Sequence, residues 1–172
     1  MKVIPLTKNE VTFVDDEDYE KLKHLKCYVH IDSRTGQKYA KAWIDNKNTA
    51  LHSIILSVAL VDHIDGNGLN NQRSNLRPAT KQQNSFNARK CRKKRHSKYK
   101  GVSINNSGGK KWKAYICKDY KLIHLGYFDT EDQAALVYNE AAKQLFGEFA
   151  HLNDVSKPKE VPPPDLSTFI KE

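Results

Sequence analysis

The chain has 172 residues, with 29 Lys and Arg against 20 Asp and Glu, a formal net charge of +9 and a pI near 9.4. This length allows one ordinary domain or two small ones, and the positive excess favours a polyanionic partner. The first ten residues lack the apolar core of a secretion signal, and the longest mainly apolar run, residues 54–61, is too short to span a bilayer. We therefore expect a soluble, cytoplasmic protein.

The three cysteines, Cys27, Cys91 and Cys117, are widely spaced, and no two of them form a Cys-x-x-Cys pair. Structural zinc sites usually need such closely spaced pairs. The pattern therefore predicts reduced thiols and no zinc.

Residues 1–49 alternate apolar and polar positions over short stretches, which is typical of strands. The hairpin predicted here could face DNA through its basic side chains or serve only as scaffold. The predicted elements are a strand at residues 11–14, a helix at residues 18–25 capped by Asp15-Asp16, and a hairpin formed by residues 27–31 and 39–44.

Residues 51–87 predict an apolar helix followed by the order strand, loop, strand, helix. The Gly66-Asn67-Gly68 cluster marks the tight loop, and Thr80 with Gln83 has the spacing of a capping box. The predicted bounds are a first helix at residues 51–60, strands at residues 60–65 and 75–77, and a second helix after Thr80.

Asp62, His63 and Asn84 carry the side chains that phosphodiester hydrolysis requires. A neutral imidazole can activate water, and carboxylate and amide oxygens can hold a hard divalent cation. Neighbouring residues on a strand point to opposite faces, so loop curvature must bring Asp62 and His63 to one centre. The alternative is an Asp-His pair at a loop edge with no special role.

The segment VDHIDGNGLNNQRSNLR, followed by TKQQNSFN, resembles the HNH nuclease family of phage and intron homing endonucleases. The resemblance covers residues 51–87 and implies the ββα-metal motif of that family. It also implies one divalent ion, Mg²⁺ with Mn²⁺ able to substitute, in a phage-encoded protein of the host cytoplasm.

The resemblance assigns a role to each matching position. His63 is implied as the general base, Asp62 and Asn84 as metal ligands, and Asn75 as the residue whose amide bonds across the loop and holds His63. Arg77 is implied to hold a phosphate.

The resemblance also matches two positions that flank this set. Asn87 lies one helical turn after Asn84 and would contact metal-bound water or backbone. His52 matches a histidine that often precedes the motif, with Ser53 where arginine is usual. The implied reaction hydrolyses duplex DNA to 5′-phosphate and 3′-hydroxyl ends.

From Asp65 to Asp119 the chain has no other acidic residue but fifteen Lys and Arg. Such a run is either a solvated face or a nucleic-acid surface. Its interleaved aromatic residues, which disordered tails lack, favour a folded DNA-binding surface. The basic and polar candidates for DNA contact are Arg77, Arg89, Lys90, Arg92, Lys93, Lys94, Arg95, Lys100, Ser103, Lys111, Trp112, Lys113 and Tyr115.

Beyond residue 99 the sequence predicts three strands, at residues 101–104, 112–117 and 123–127, and a helix from Thr130 to Gly147. The segments YKGV, KWKA, LGYFDT and GEFAHLN resemble the APETALA2-type DNA-binding domain over residues 99–153. That family lays its sheet into the major groove. Trp112 could instead belong to the core.

The predicted fold class is α+β, with a β-rich N-terminal region and ββα-metal motif, then a three-stranded antiparallel sheet packed on one helix. The predicted function is a site-specific, homing-type HNH endonuclease; the alternative is a non-catalytic DNA-binding regulator with a relict nuclease fold. A monomer would nick DNA, whereas a dimer could cut both strands. The predicted domains are a nuclease at residues 1–90 (β-rich to 49, motif from 50), a basic linker at 91–98, an APETALA2-like domain at 99–154 and a flexible tail at 155–172.

Overall fold

The computed structural model of the chain describes residues 1–33, 35–88, 97–106, 109 and 111–155. Within these ranges the chain is mixed α and β with several separate sheets, which confirms the expected class at that level. Two compact units divide the chain, Met1–Asn87 and Ala88–Glu172. Most of the predicted basic linker and almost all of the predicted tail lie outside the described residues.

The first unit contains three antiparallel sheets. In chain order, β1 pairs with β2, β4 pairs with both β3 and β5, and β6 pairs with β7. The predicted hairpin of β3 and β4 is confirmed. Strands β1 and β5 were not predicted, because few of their residues are apolar side chains that become buried. The strands are β1 (Lys2–Pro5), β2 (Val11–Val14), β3 (Cys27–Ile31), β4 (Lys38–Ile44), β5 (Lys47–Ala50), β6 (Val61–His63) and β7 (Leu76–Pro78).

Helix α1 (Asp16–Leu22) begins two residues before the predicted start and ends three residues before the predicted end. Asp15 is its N-cap residue, but its side chain makes no cap hydrogen bond. The carboxylate instead accepts the backbone N–H of Arg73 at 2.8 Å. Asp15 therefore occupies the predicted N-cap position, but its carboxylate does not cap the helix, because it accepts a hydrogen bond from Arg73 in a distant loop.

Helix α2 (Leu51–Leu56) is four residues shorter than predicted. Ser57 ends it in the left-handed conformation with φ 56°, so the apolar pattern of residues 57–60 does not continue the helix. Leu51 and Ile55 face the interior, one helical turn apart. The core of this unit comprises Ile4, Leu6, Val14, Leu22, Val29, Ala40, Ala42, Leu51, Ile55, Val61, Leu69 and Leu76.

Helix α3 (Lys81–Asn87) follows β7 and begins with the predicted capping box. The Gln83 backbone N–H donates to Thr80 Oγ1 at 3.1 Å, and the Thr80 N–H donates to Gln83 Oε1 at 2.8 Å. The element order strand, loop, strand, helix is therefore observed. Asn75, predicted in the second strand, lies instead at the end of a short 3₁₀ turn before β7.

The second unit is a three-stranded antiparallel sheet with one helix packed on it, as the sequence predicted. Its core forms where Ala114 of the sheet meets Ala134 and Ala135 of the helix, because small side chains allow close approach. The sheet order is β10-β9-β8. The elements are β8 (Val102–Ile104), β9 (Trp112–Lys118), β10 (Lys121–Phe128) and α4 (Glu131–Phe146).

Both ends of α4 follow the sequence signals. Thr130 Oγ1 accepts the Gln133 backbone N–H at 3.2 Å, and Gly147 ends the helix with φ 52°. Across the described part of the chain, no helix combines the length and apolar character required to traverse a membrane.

Candidate active site

Asp62 and His63 are neighbours on β6, and each is only 6% exposed. Asp62 lies directly opposite Arg77 of β7 in the strand register. Arg77 donates to Asp62 Oδ2 from Nε at 2.9 Å and from Nη2 at 2.7 Å. The pair is nearly excluded from solvent, with side-chain exposures of 7% for Asp62 and 11% for Arg77. Arg77, predicted to hold a phosphate, therefore neutralises the predicted metal ligand in this structure.

Asn87, whose role the sequence left uncertain, closes the other side of Asp62. Its amide nitrogen lies 3.0 Å from both carboxylate oxygens of Asp62 and 2.7 Å from the backbone oxygen of His63. All these partners are acceptors, so Asn87 acts as a donor. Its hydrogen bonds connect the end of α3 to β6, the strand that carries Asp62 and His63.

Asn84 lies on the same helix and donates from Nδ2 to the backbone oxygen of Val61 at 3.4 Å. Its amide oxygen accepts no hydrogen bond within the described residues. Asp62 and Asn84 are thus both anchored at β6, and their oxygens are the ligand type that Mg²⁺ prefers. Across the described ranges, no three His, Cys, Asp or Glu side chains cluster closely enough to hold a metal ion.

His63 contacts Asn71, a residue that the sequence reasoning did not single out. Its Nε2 lies 3.3 Å from Oδ1 of Asn71, which is completely buried. Asn71 in turn donates to Thr12 Oγ1 at 2.8 Å. Apart from the second asparagine of Leu69-Asn70-Asn71, nothing in the sequence indicated this contact, because Asn71 and its partner Thr12 are 59 residues apart in the chain.

Asn75 holds the loop that follows His63 rather than the imidazole itself. Its Oδ1 accepts the Asp65 N–H at 3.0 Å, while its Nδ2 donates to Asp65 Oδ1 at 3.0 Å and to the Asn70 backbone oxygen at 2.8 Å. Its own backbone oxygen accepts the Ile64 N–H at 2.9 Å. The predicted hydrogen bonding across the loop is observed, and the direct side-chain contact to His63 comes from Asn71.

Two aromatic rings flank the imidazole of His63. The His52 ring stands edge-on to it with centroids 4.9 Å apart, and the Tyr39 ring is 6.2 Å away. Burial, then the charge of His63 and of Lys41, lowers the pKa of His52 to about 4. Burial also lowers the pKa of His63, although the Asn71 hydrogen bond opposes it. Both imidazoles are therefore neutral near pH 7, the form that can accept a proton.

The second unit divides its predicted DNA-binding residues between two faces of the sheet. Ala114 and Ile116 of β9 are buried, so the intervening Lys113 and Tyr115 point to the opposite face. Ser103 pairs with Lys113 and shares that face.

Trp112 has the same alternation as Ala114 and packs, partly buried, against the core cluster. The structure therefore favours the core alternative for Trp112 over its predicted DNA contact. Lys111, just before β9, places its ammonium 5.9 Å from the centre of the Trp112 ring.

Lys100 is less available than its charge suggested. Its Nζ donates to the Ala88 backbone oxygen at 2.8 Å, and burial lowers its pKa to about 8. Its predicted DNA contact would require this side chain to exchange partners. Six further predicted contacts lie outside the described residues: Arg89, Lys90, Arg92, Lys93, Lys94 and Arg95.

Comparison with known proteins matches residues 59–86 to the family model of the HNH endonucleases. An uncharacterized HNH endonuclease of Acanthamoeba polyphaga mimivirus is 48% identical over 98 residues, which are 55% of this chain and 47% of that protein. The dehydration-responsive element-binding protein 2D of Arabidopsis thaliana is 46% identical over 57 residues, 32% of this chain and 27% of that protein.

The chain thus spans less than half the length of either relative. No solved structure matches it significantly. The resemblance to HNH nucleases is confirmed, and the plant relative supports in part the APETALA2-type resemblance. The segment of residues 59–86, which carries Asp62, His63 and Asn84, thus matches the HNH endonuclease family model.

Proposed function

We propose that this chain is a metal-dependent endonuclease of the homing type that hydrolyses duplex DNA to 5′-phosphate and 3′-hydroxyl ends. The observation that carries the proposal is the constellation at β6: a neutral, nearly buried imidazole next to a carboxylate, with the Asn84 amide anchored to the same strand. This constellation lies inside the segment that matches the HNH family. β6, β7 and α3 would then act as its ββα-metal motif.

In this proposal His63 takes a proton from the attacking water. Its neutral state near pH 7 suits a general base, and its ring is held by Asn71 on one side and by the His52 ring edge. Exclusion of water from most of the imidazole keeps that geometry fixed. Asn75 acts on His63 indirectly, because it fixes the loop that begins directly after His63.

Asp62 and Asn84 would hold the divalent ion, for which we propose Mg²⁺ with Mn²⁺ as a substitute. When bound there, such an ion supplies positive charge to the phosphate and to the departing 3′ oxygen. Asn87 keeps the Asp62 carboxylate in place, and Arg77 balances its charge until a cation shares it. The donor set is hard oxygen only, consistent with Mg²⁺ rather than zinc.

The second unit would supply binding to particular DNA sites. Lys113 and Tyr115 lie on the sheet face that α4 does not cover, and this face would enter the major groove. Ser103 is on the same face, but its Oγ is fully buried and would contact DNA only after the surrounding side chains move. The basic stretch before residue 97 would add sequence-independent phosphate contacts. Lys111 and Lys100 flank the same sheet. Arg77 would meet phosphate near the cleavage centre only once a cation has replaced it at Asp62.

Cleavage of supercoiled duplex DNA by the full chain, with and without Mg²⁺, tests this function. We expect Mg²⁺-dependent cutting that falls by about 10² to 10⁴ in rate for His63→Ala. The matched control is His24→Ala, because His24 is exposed and outside the site. Binding without cleavage in any divalent metal would instead support a non-catalytic DNA-binding regulator. Sequencing of the cut ends checks the end chemistry and the site preference.

A further inference from the structure

A buried line of hydrogen bonds runs from β2 to the imidazole of His63. Thr12 Oγ1 lies 2.7 Å from the backbone oxygen of Leu69, Asn71 Nδ2 lies 2.8 Å from Thr12 Oγ1, and Asn71 Oδ1 lies 3.3 Å from His63 Nε2. Thr12 and Asn71 are both 0% exposed. Water therefore does not compete for these bonds, and each polar atom must be satisfied by the next.

The donor and the acceptor of each hydrogen bond in this line are fixed. The Leu69 carbonyl can only accept, so the Thr12 hydroxyl donates its one hydrogen to it. Thr12 Oγ1 is then left as an acceptor for Asn71, which turns the amide nitrogen of Asn71 towards Thr12. The Gly68 backbone oxygen, 3.5 Å from the same nitrogen, is a second acceptor on that side. The amide oxygen of Asn71 is thereby directed at His63.

The orientation of Asn71 decides which nitrogen of His63 carries the proton. An amide oxygen only accepts, so the neutral imidazole must present Nε2–H to it and keep the lone pair on Nδ1. Within the described residues, the fully buried side-chain polar atoms without a hydrogen-bond partner are His52 Nδ1 and Ser103 Oγ. His63 Nδ1 also has no hydrogen-bond partner in that part of the chain, but it is not one of these fully buried atoms, so part of it is accessible to water.

We propose that Thr12 and Asn71 are positioning residues that fix His63 as its Nε2–H tautomer, so that Nδ1 is the atom that takes the proton from the attacking water. This inference rests on the proposed role of His63 as the base. Thr12 acts on the chemistry only through Asn71. Its hydroxyl donates its one hydrogen bond to the Leu69 oxygen, so towards Asn71 it can act only as an acceptor.

The same loop is also tied to β2 by the backbone. The Phe13 N–H donates to the Leu69 oxygen at 3.0 Å, and the Asn71 N–H donates to the Phe13 oxygen at 2.8 Å. These bonds do not depend on the Thr12 side chain. A variant that removes only the Thr12 hydroxyl therefore keeps the loop in place while it removes the shorter of the two contacts that orient the Asn71 amide.

The first test compares Thr12→Val, which has nearly the same shape but no hydroxyl, with Thr12→Ser, which keeps it. In Thr12→Val the Asn71 amide can turn its NH₂ towards His63, which stabilises the tautomer that cannot accept a proton at Nδ1. We expect kcat to fall by about tenfold to a hundredfold with KM nearly unchanged, and Thr12→Ser to stay within about twofold of wild type. Equal kcat values for wild type and Thr12→Val would overturn the proposal.

The second test reads the tautomer without any DNA or metal. Imidazole ¹⁵N shifts of the full chain distinguish a protonated from an unprotonated ring nitrogen, and loss of one signal set in His63→Ala assigns that ring among the seven histidines. We expect protonated Nε2 and unprotonated Nδ1 in the wild type, and a mixture of tautomers in Thr12→Val. A wild-type ring protonated at Nδ1 refutes the tautomer assignment even if the protein cuts DNA. Absence of cleavage by the wild type would refute the proposed function and the base role, whichever tautomer the spectrum shows.

Discussion

The two units of the chain use their interiors differently. In the described part of the first unit seven polar side chains are buried, and six of them belong to the site or to its supports, the exception being Asp18 near Arg73. The described part of the second unit buries only Ser97 and Asn139, around a core rich in alanine and aromatic residues. Buried polar groups cost stability unless every one finds a partner. The first unit therefore carries this cost at the place where chemistry is proposed, while the described part of the second unit carries little of it.

The largest expected stability effect comes from breaking the buried ion pair of the first unit. Arg77→Met leaves the Asp62 carboxylate 7% exposed without its cation, so we expect the free energy of unfolding to fall by about 3 to 5 kcal/mol. Urea unfolding in excess chelator measures this free of bound metal.

The control for Arg77→Met lies in the second unit. Lys143 pairs with Glu140 on the outside of α4 at 2.7 Å, with side-chain exposures of 54% and 38%. Lys143→Met should cost less than about 1 kcal/mol. Similar losses of stability from Arg77→Met and Lys143→Met would show that the buried ion pair of the first unit contributes no more than the exposed pair of the second.

Close packing is the corresponding weak point of the second unit. A Cβ added to Gly101 would meet the Tyr138 ring at 2.1 Å, and the backbone there has φ +71°. Gly101→Ala should therefore cost about 2 to 4 kcal/mol, from overpacking together with the strained backbone. Thermal unfolding of the full chain measures the loss.

Gly109 separates these two causes. It has the same φ of +71°, but an added Cβ would meet nothing within 4 Å. Gly109→Ala should cost only the backbone part, about 1 to 2 kcal/mol. If both alanine variants lose equal stability, the contact with Tyr138 is not what requires glycine at position 101.

Acid should weaken the first unit through His52. Its pKa is lowered to about 4 in the folded chain from 6.5, mainly by burial, so between pH 6.5 and 4 the unfolded chain binds a proton that the folded chain does not. Stability therefore falls as the pH drops through this window, by about 1 to 3 kcal/mol from this residue. Denaturant unfolding from pH 7 to 4 should show a smaller loss for His52→Gln; an unchanged pH dependence would contradict this origin.

Local signals in the sequence were enough to predict the parts of the fold that nearby residues decide. The Thr80–Gln83 capping box and the hairpin of residues 27–31 and 38–44 depend on spacings of a few residues, and both are observed. The three strands and the capped helix of the second unit follow for the same reason. Some helix bounds moved by a few residues, as at α2, which ends early because Ser57 adopts the left-handed conformation.

The candidate site was predictable only as a set of residue types. Asp62 and His63 are adjacent on β6 and Asn84 bonds to the backbone of that strand, but the contacts that define their chemistry come from strand register and from distant segments. The ion pair with Arg77 requires the register of two strands, and the contact of Asn71 with Thr12 spans 59 residues. No periodicity or motif in the sequence encodes such pairings, because they form only when the sheets are assembled.

The smallest expected effect tests the second unit as a DNA-binding surface. Lys113 points to the sheet face away from α4, so Lys113→Ala should weaken DNA binding and reduce the slope of log affinity against log salt by about 1, with no loss of stability. Lys143→Ala, on the outer side of α4, is the matched loss of charge and should leave that slope unchanged. Trp112→Ala should show the reverse, a stability loss smaller than the roughly 3 to 5 kcal/mol of a fully buried tryptophan, because Trp112 packs only partly buried against the core. Fluorescence anisotropy over a salt series, alongside urea unfolding, distinguishes these results. If Trp112→Ala lowers the affinity of a fully folded chain as much as Lys113→Ala does, then both faces of β9 contact DNA, and the division between a core face and a binding face fails.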